Sequence, residues 1–209
     1  MIDRSYYRNF KPAYNAGERF ALPAGIYEGY VMAAKVDDTG KAPALLIQVE
    51  IEKGDFAGFY HKQYESQKGG QYGAKYKGVY RITLPDGQDP ERDQWRQQGL
   101  ETLAWVLEDG NPGYHWDFDE NKLRGLKVGL NVRERDYYYN GKSGTTTEIG
   151  RLESVAKIND PDTNKRPKLM KKRELSEKEK KEMAAAQLYN YPPTSTADYQ
   201  EVDSEELPF

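Results

Sequence analysis

Tyr60, Tyr64, Tyr72, Tyr76 and Tyr80 are interleaved along the chain with Lys62, Lys68, Lys75, Lys77 and Arg81. Flat aromatic faces beside cations suit single-stranded nucleic acid, which offers unstacked bases and a flexible phosphate chain. Stacking on an exposed ring is typically worth ~1–3 kcal/mol per base, so a few such rings outweigh a modest net charge. Core packing competes for each tyrosine taken singly. As a cluster, the binding use is the stronger reading. The triplet Tyr137-Tyr138-Tyr139 repeats the combination, with Lys127, Arg133 and Arg135 before it on the same segment and Lys142 after it. Successive strand residues point to opposite faces, so at least one of these three rings should turn inward.

Residues for bond-breaking chemistry are sparse. His61 and His115 are far apart, with no second histidine or cysteine near either to complete a metal site. His61 reads as a polar or stacking residue of the tyrosine segment. Asp117, Asp119 and Glu120 resemble part of a metal-binding nuclease site, but an acidic cap at a helix N-terminus accounts for them more simply. Gly69-Gly70 lacks the Gly-Lys-Ser/Thr ending of a phosphate-binding loop. The chain has no cysteine, which removes disulfides, thiolate ligands and thiol nucleophiles. No catalytic residue, cofactor or metal is assigned, and the chain reads as a non-enzyme.

The last seven residues, Asp203-Ser204-Glu205-Glu206-Leu207-Pro208-Phe209, close a stretch from Asn190 that holds five carboxylates and no Lys or Arg. Such a stretch is expected to stay disordered and solvated. Its tip has the chemistry of a docking peptide: a ring for an apolar pocket, a carboxylate for a basic group, and an acidic run that steers the encounter. The tip is similar to the acidic tip of bacterial and phage single-stranded DNA-binding proteins. Upstream, Gly25 to Tyr30, Glu50 to Tyr60, Asn111 to Asp117 and Arg151 to Ile158 resemble phage-type members of that group.

The resemblance implies an oligonucleotide-binding barrel that binds and protects single-stranded DNA, with little sequence preference, during phage or prophage replication, recombination and repair. It further implies recruitment of replication and recombination proteins through Asp203, Glu205, Glu206, Leu207, Pro208 and Phe209, and a place in the bacterial cytoplasm beside the nucleoid. The tail would compete with DNA for the basic groove. Alternatives from other classes are a protein-interaction adaptor of a recombination system and, more distantly, a metal-dependent nuclease using Asp117 to Glu120. Barrel edges can pair into a homodimer or stay monomeric, and both remain open.

These residues need a scaffold, and 209 residues are enough for one ordinary domain with a tail. Net charge is −3, yet residues 190–209 carry −5, which leaves a body at +2. No apolar run approaches membrane-spanning length, and Met1 to Tyr7 lacks the apolar stretch of a secretory signal, so a soluble intracellular protein is expected. Residues 25–36 and 44–52 read as strands around an Asp37-to-Lys41 turn, with Leu45, Ile47, Val49 and Ile51 on one face and Gln48, Glu50 and Glu52 on the other. Residues 59–64 and 75–84 read as further strands.

Asp89-Pro90 opens a helix whose apolar face is carried by Leu100, Leu103, Ala104 and Leu107 and widened by Trp95, Trp105 and Val106; Gly110 and Pro112 end it. Strands return at 126–138 and 145–158 around Asn140-Gly141, with Val128, Leu130 and Val132 pointing one way and Lys127, Asn131, Arg133 and Arg135 the other. Lys165 to Arg173 form a basic linker, and Ser176 with Glu179 forms a capping box for a polar helix reaching about Leu188. The expected fold is mainly β: an oligonucleotide-binding, Greek-key barrel with one packed helix over residues 1–160, a basic linker and C-terminal helix over 161–189, and an acidic docking tail over 190–209.

Overall fold

In the computed structural model, which describes residues 22–68 and 73–189, the alternating segment around Ile47 becomes part of a five-stranded antiparallel sheet. In chain order the elements are β1 (Gly25–Asp37), β2 (Ala44–Ile51), α1 (Phe59–Gln67), β3 (Val79–Thr83), α2 (Pro90–Gly110), β4 (Lys127–Tyr139), β5 (Lys142–Glu153), α3 (Val155–Ile158) and α4 (Glu177–Tyr189). The sheet order is β3-β2-β1-β4-β5, so β3 and β5 are its outer strands. β1 pairs with β2 on one side and β4 on the other, and its register shifts between Val31 and Ala33. A bulge of this kind bends a strand and increases its twist, which curves the sheet around its apolar face.

That face carries the core. Leu45, Ile47, Val49 and Ile51 are at most 3% exposed, and they join Val128, Leu130 and Val132 of β4 and Leu103, Val106 and Leu107 of α2 in one apolar cluster. Full burial of each such side chain is worth about 1.5–3 kcal/mol. α2 starts where Asp89-Pro90 predicts. The Asp89 Oδ1 accepts from the backbone N–H of Glu91 at 3.1 Å and of Arg92 at 3.2 Å, and Pro90 has no N–H to leave unsatisfied.

Several expectations are corrected. Residues 59–64 form the first turns of α1 and no strand. Their burial follows a helical period, with Phe59, Tyr60, Gln63, Tyr64 and Gln67 turned toward the sheet, and their aromatic content had mimicked β propensity. β3 begins at Val79, four residues later than 75. The last strand ends at Glu153, because the Ser154 carbonyl accepts from Lys157 and Ile158 and turns the chain into α3. Trp95 and Trp105 do not widen the buried face of α2: they are 69% and 52% exposed, and of the three widening residues only Val106 is buried.

The described residues fall into two compact units. The first runs to Glu134 and resumes over Thr147–Lys171; it holds the apolar cluster, α1, α2 and α3. The second comprises Arg135–Thr146 and the chain from Lys172 onward. In this second unit the hairpin turns at Asn140 and Gly141, both with positive φ (48° and 73°), as a two-residue turn matched to strand twist requires. α4 opens on the expected capping box: Ser176 N–H donates to Glu179 Oε2 at 2.9 Å and Glu179 N–H to Ser176 Oγ at 3.3 Å. Tyr72 and the expected tail over 190–209 lie outside the described residues. Among the described residues no helix is long and apolar enough to cross a membrane.

Candidate nucleic-acid interface

The tyrosine cluster is organised by one buried carboxylate. Glu50 lies on the polar side of the β2 alternation, yet it is 3% exposed because α1 and the segment before β3 cover it. Its Oε1 accepts from the N–H groups of Ile51 (2.9 Å) and Tyr60 (3.1 Å); its Oε2 accepts from His61 N–H (2.6 Å) and the Tyr76 hydroxyl (3.0 Å). Tyr60 and His61 belong to the first turn of α1, so Glu50 caps that helix from a strand eight or more residues upstream. The Gly58 side of the helix supplies no side-chain cap of its own. Gly78 completes the packing: a Cβ there would lie 2.7 Å from the Tyr60 ring and 2.5 Å from the Val49 carbonyl.

Tyr60 is therefore a core residue, 6% exposed, and offers no face to a base. Tyr76 is half-buried, with its hydroxyl within hydrogen-bond reach of the Val49 carbonyl at 2.8 Å and of Glu50 Oε2 at 3.0 Å. Burial, reinforced by the Glu50 charge, pushes both hydroxyls well above the ordinary tyrosine value. Tyr64 packs edge-on against Tyr76 at 6.1 Å between centroids, and Lys68 Nζ sits 5.1 Å above its ring. Tyr80 is half-buried, and burial raises its hydroxyl against the pull of Arg151.

The cations of the same segment point outward. Lys62, Lys75, Lys77 and Arg81 are all exposed. From Ser66 to Pro85 the chain contains four cations and no carboxylate. On the sheet face covered in part by α1, the register places Lys35 and Arg81 on either side of Leu46, so Lys35 joins the strip from β1. Sequence periodicity did not single out Lys35; strand register was the missing signal. Arg81 lies 3.6 Å from the Asp37 carboxylate.

Cations on the β4 side are engaged in ion pairs. Lys127 pairs with Glu52 and lies 6.0 Å from the Tyr30 ring centroid; Arg133 makes two bonds, 3.0 and 2.8 Å, to Glu148 Oε1. In the second unit Arg135 meets Glu179 at 3.5 Å and Lys172 meets Asp136 at 2.8 Å. Of the triplet, Tyr137 and Tyr138 are half-buried and Tyr139 is 71% exposed. The Tyr137 ring lies over Gly144, where a Cβ would come within 2.8 Å of its hydroxyl.

Asp119 caps the short turn Glu120–Leu123 by accepting from Asn121 N–H at 3.0 Å, and Asp117 is paired with Lys122. Among the described residues no three His, Asp or Glu side chains converge to hold a metal ion. The docking residues Asp203, Glu205, Glu206, Leu207, Pro208 and Phe209 lie outside the described residues. Comparison of the chain with protein-family models and with curated proteins finds no match.

Proposed function

We propose that this protein binds single-stranded DNA with little sequence preference along the outer face of β1, β2 and β3, and that its Asp203–Phe209 segment docks proteins of phage replication and recombination. The observation that carries this reading is the exposed cationic strip of Lys75, Lys77 and Arg81, flanked by Lys35 and Lys62, in which Asp37 lies 3.6 Å from Arg81. A second support comes from topology. The five antiparallel strands in the order β3-β2-β1-β4-β5, with a helix between β3 and β4, have the strand number that a partly open oligonucleotide-binding barrel requires.

Burial of Tyr60 and Tyr76 shifts the balance of forces. Fewer rings are free to stack, so phosphate contacts supply more of the affinity and salt should weaken it steeply. Five cations engaged on a single strand correspond to a slope of log K against log salt of about −3.5, at about −0.7 per contact. A gel-shift titration with a thymidine oligomer and a duplex of equal length tests the reading. Retention of the single strand is expected, with the slope shallower by about 1.4 in the Lys75→Ala/Lys77→Ala variant. Failure to retain the oligomer in low salt overturns it.

A further inference from the structure

The two outer strands of the sheet face a common cleft. Its volume is about 370 Å³, its walls include Tyr80 and Arg81 of β3 and Arg151 and Leu152 of β5, and α2 contributes Trp95 and Gly99. Trp95 is 69% exposed, and its neighbour in the cleft, Gly99, has no side chain; a Cβ built there meets nothing within 4 Å. An exposed indole beside an opening of this kind offers a flat surface that a base can reach without displacing a neighbour.

The cations around the indole differ in freedom. Arg96 is 18% exposed and held between Asp86 and Asp93, at 2.8 Å from each, so it belongs to the scaffold. Arg81 and Arg151 are each 48% exposed. Arg81 lies 3.6 Å from Asp37. Arg151 pairs with Glu153 at 2.6 Å, but that carboxylate also accepts from Asn131 Nδ2 at 2.9 Å and keeps a partner if the guanidinium swings away. The exposed guanidinium fork of Arg151 matches phosphate oxygens, while the Trp95 ring in the same cleft matches a base.

Resting on the proposed DNA-binding reading, we infer that this cleft is a second nucleotide subsite: a strand crossing the Lys75–Lys77–Arg81 strip passes over the β3 edge at Arg81, stacks one base on Trp95 and sets a phosphate against Arg151. Arg81 joins the two surfaces, because it lies on the strip and lines the cleft. The occupant is an unpaired nucleotide, since duplex bases present no free face to the indole.

The test uses the full-length chain carrying Trp105→Phe, in which Trp95 is the exposed indole and Trp116 is buried at 3%. Tryptophan emission is followed during titration with a thymidine oligomer in low salt, with binding read independently by gel shift. Quenching that saturates together with the shift is expected. Trp95→Ala should weaken binding about tenfold, Trp95→Phe should retain most of it, and Arg151→Gln should weaken it several-fold with the melting temperature unchanged. A normal gel shift with unchanged emission and full affinity in Trp95→Ala overturns the subsite and leaves the strip intact. Loss of the gel shift in the parent chain overturns both readings. Quenching by a Glu-Glu-Leu-Pro-Phe peptide and not by the oligomer assigns the cleft to peptide and overturns the subsite.

Discussion

Glu50 shows how a single side chain decides what a neighbouring cluster can do. It turns Tyr60 inward by capping α1 and holds Tyr76 by its hydroxyl, so two rings that read as stacking platforms become structural. Glu50→Ala would leave the N–H groups of Ile51 and Tyr60 buried and that of His61 partly buried without their acceptor, while the Tyr76 hydroxyl keeps the Val49 carbonyl. At roughly 1–3 kcal/mol for each buried unsatisfied group, the loss should be at least about 2 kcal/mol. Urea denaturation measures it; a loss below about 1 kcal/mol would show that water replaces the carboxylate. Sequence placed Glu50 correctly on the polar side of β2. It could not show that Tyr60, His61 and Tyr76 land on that side, because that contact joins segments apart in the chain.

At the scale of elements, α2 and α1 mark the two extremes of legibility. α2 was readable because its start signal is local, Asp89 capping its own helix with Pro90 next to it. α1 was not, because its cap comes from β2 and its aromatic residues mimic a strand. α2 also carries an interior glycine with open space around it, and glycine in a helix costs about 0.5–1 kcal/mol relative to alanine. Gly99→Ala should therefore raise stability by about that amount, seen as a rise of about 1–4 °C in melting temperature. A fall would mean that the helix backbone at Gly99 is needed in a form alanine resists. In the hairpin, Asn140-Gly141 was legible for the same local reason as Asp89-Pro90.

For the whole molecule, ionisation sets a window of stability. Hydrogen bonds from Lys53 and Asn159 lower the Glu28 carboxyl, those from Thr39 lower Asp37, that from Lys122 lowers Asp117, those from Lys172 and Thr145 lower Asp136, and those from Ser176 lower Glu179. A depressed carboxyl stabilises the fold above its unfolded value, near pH 4, and that stability is lost as pH falls through the folded value. Asp117 is exposed and the other four are in partial contact with solvent, so screening keeps each contribution small and the acid limb should be shallow. Tyr60 and Tyr76 have the opposite sign: raised hydroxyls stabilise fully below the unfolded value of about 10 and lose that contribution above it. Melting temperature should be flat from about pH 5 to 9 and fall on both sides. A rise between pH 9 and 11 would contradict the burial of these two phenols.

What the amino-acid order determined by itself was everything set by neighbours within a few residues: the β1–β2 and β4–β5 strands, the inward rows of Leu45 to Ile51 and Val128 to Val132, the caps of α2 and α4, and a run of cations free of carboxylates. Tertiary structure alone decided which tyrosines are buried, which arginines are already paired, and that Trp95, Arg81 and Arg151 share one cleft. The physical reason is range. Periodicity and capping act over one or two turns, whereas burial and ion pairing depend on strands brought together from opposite ends of the sheet.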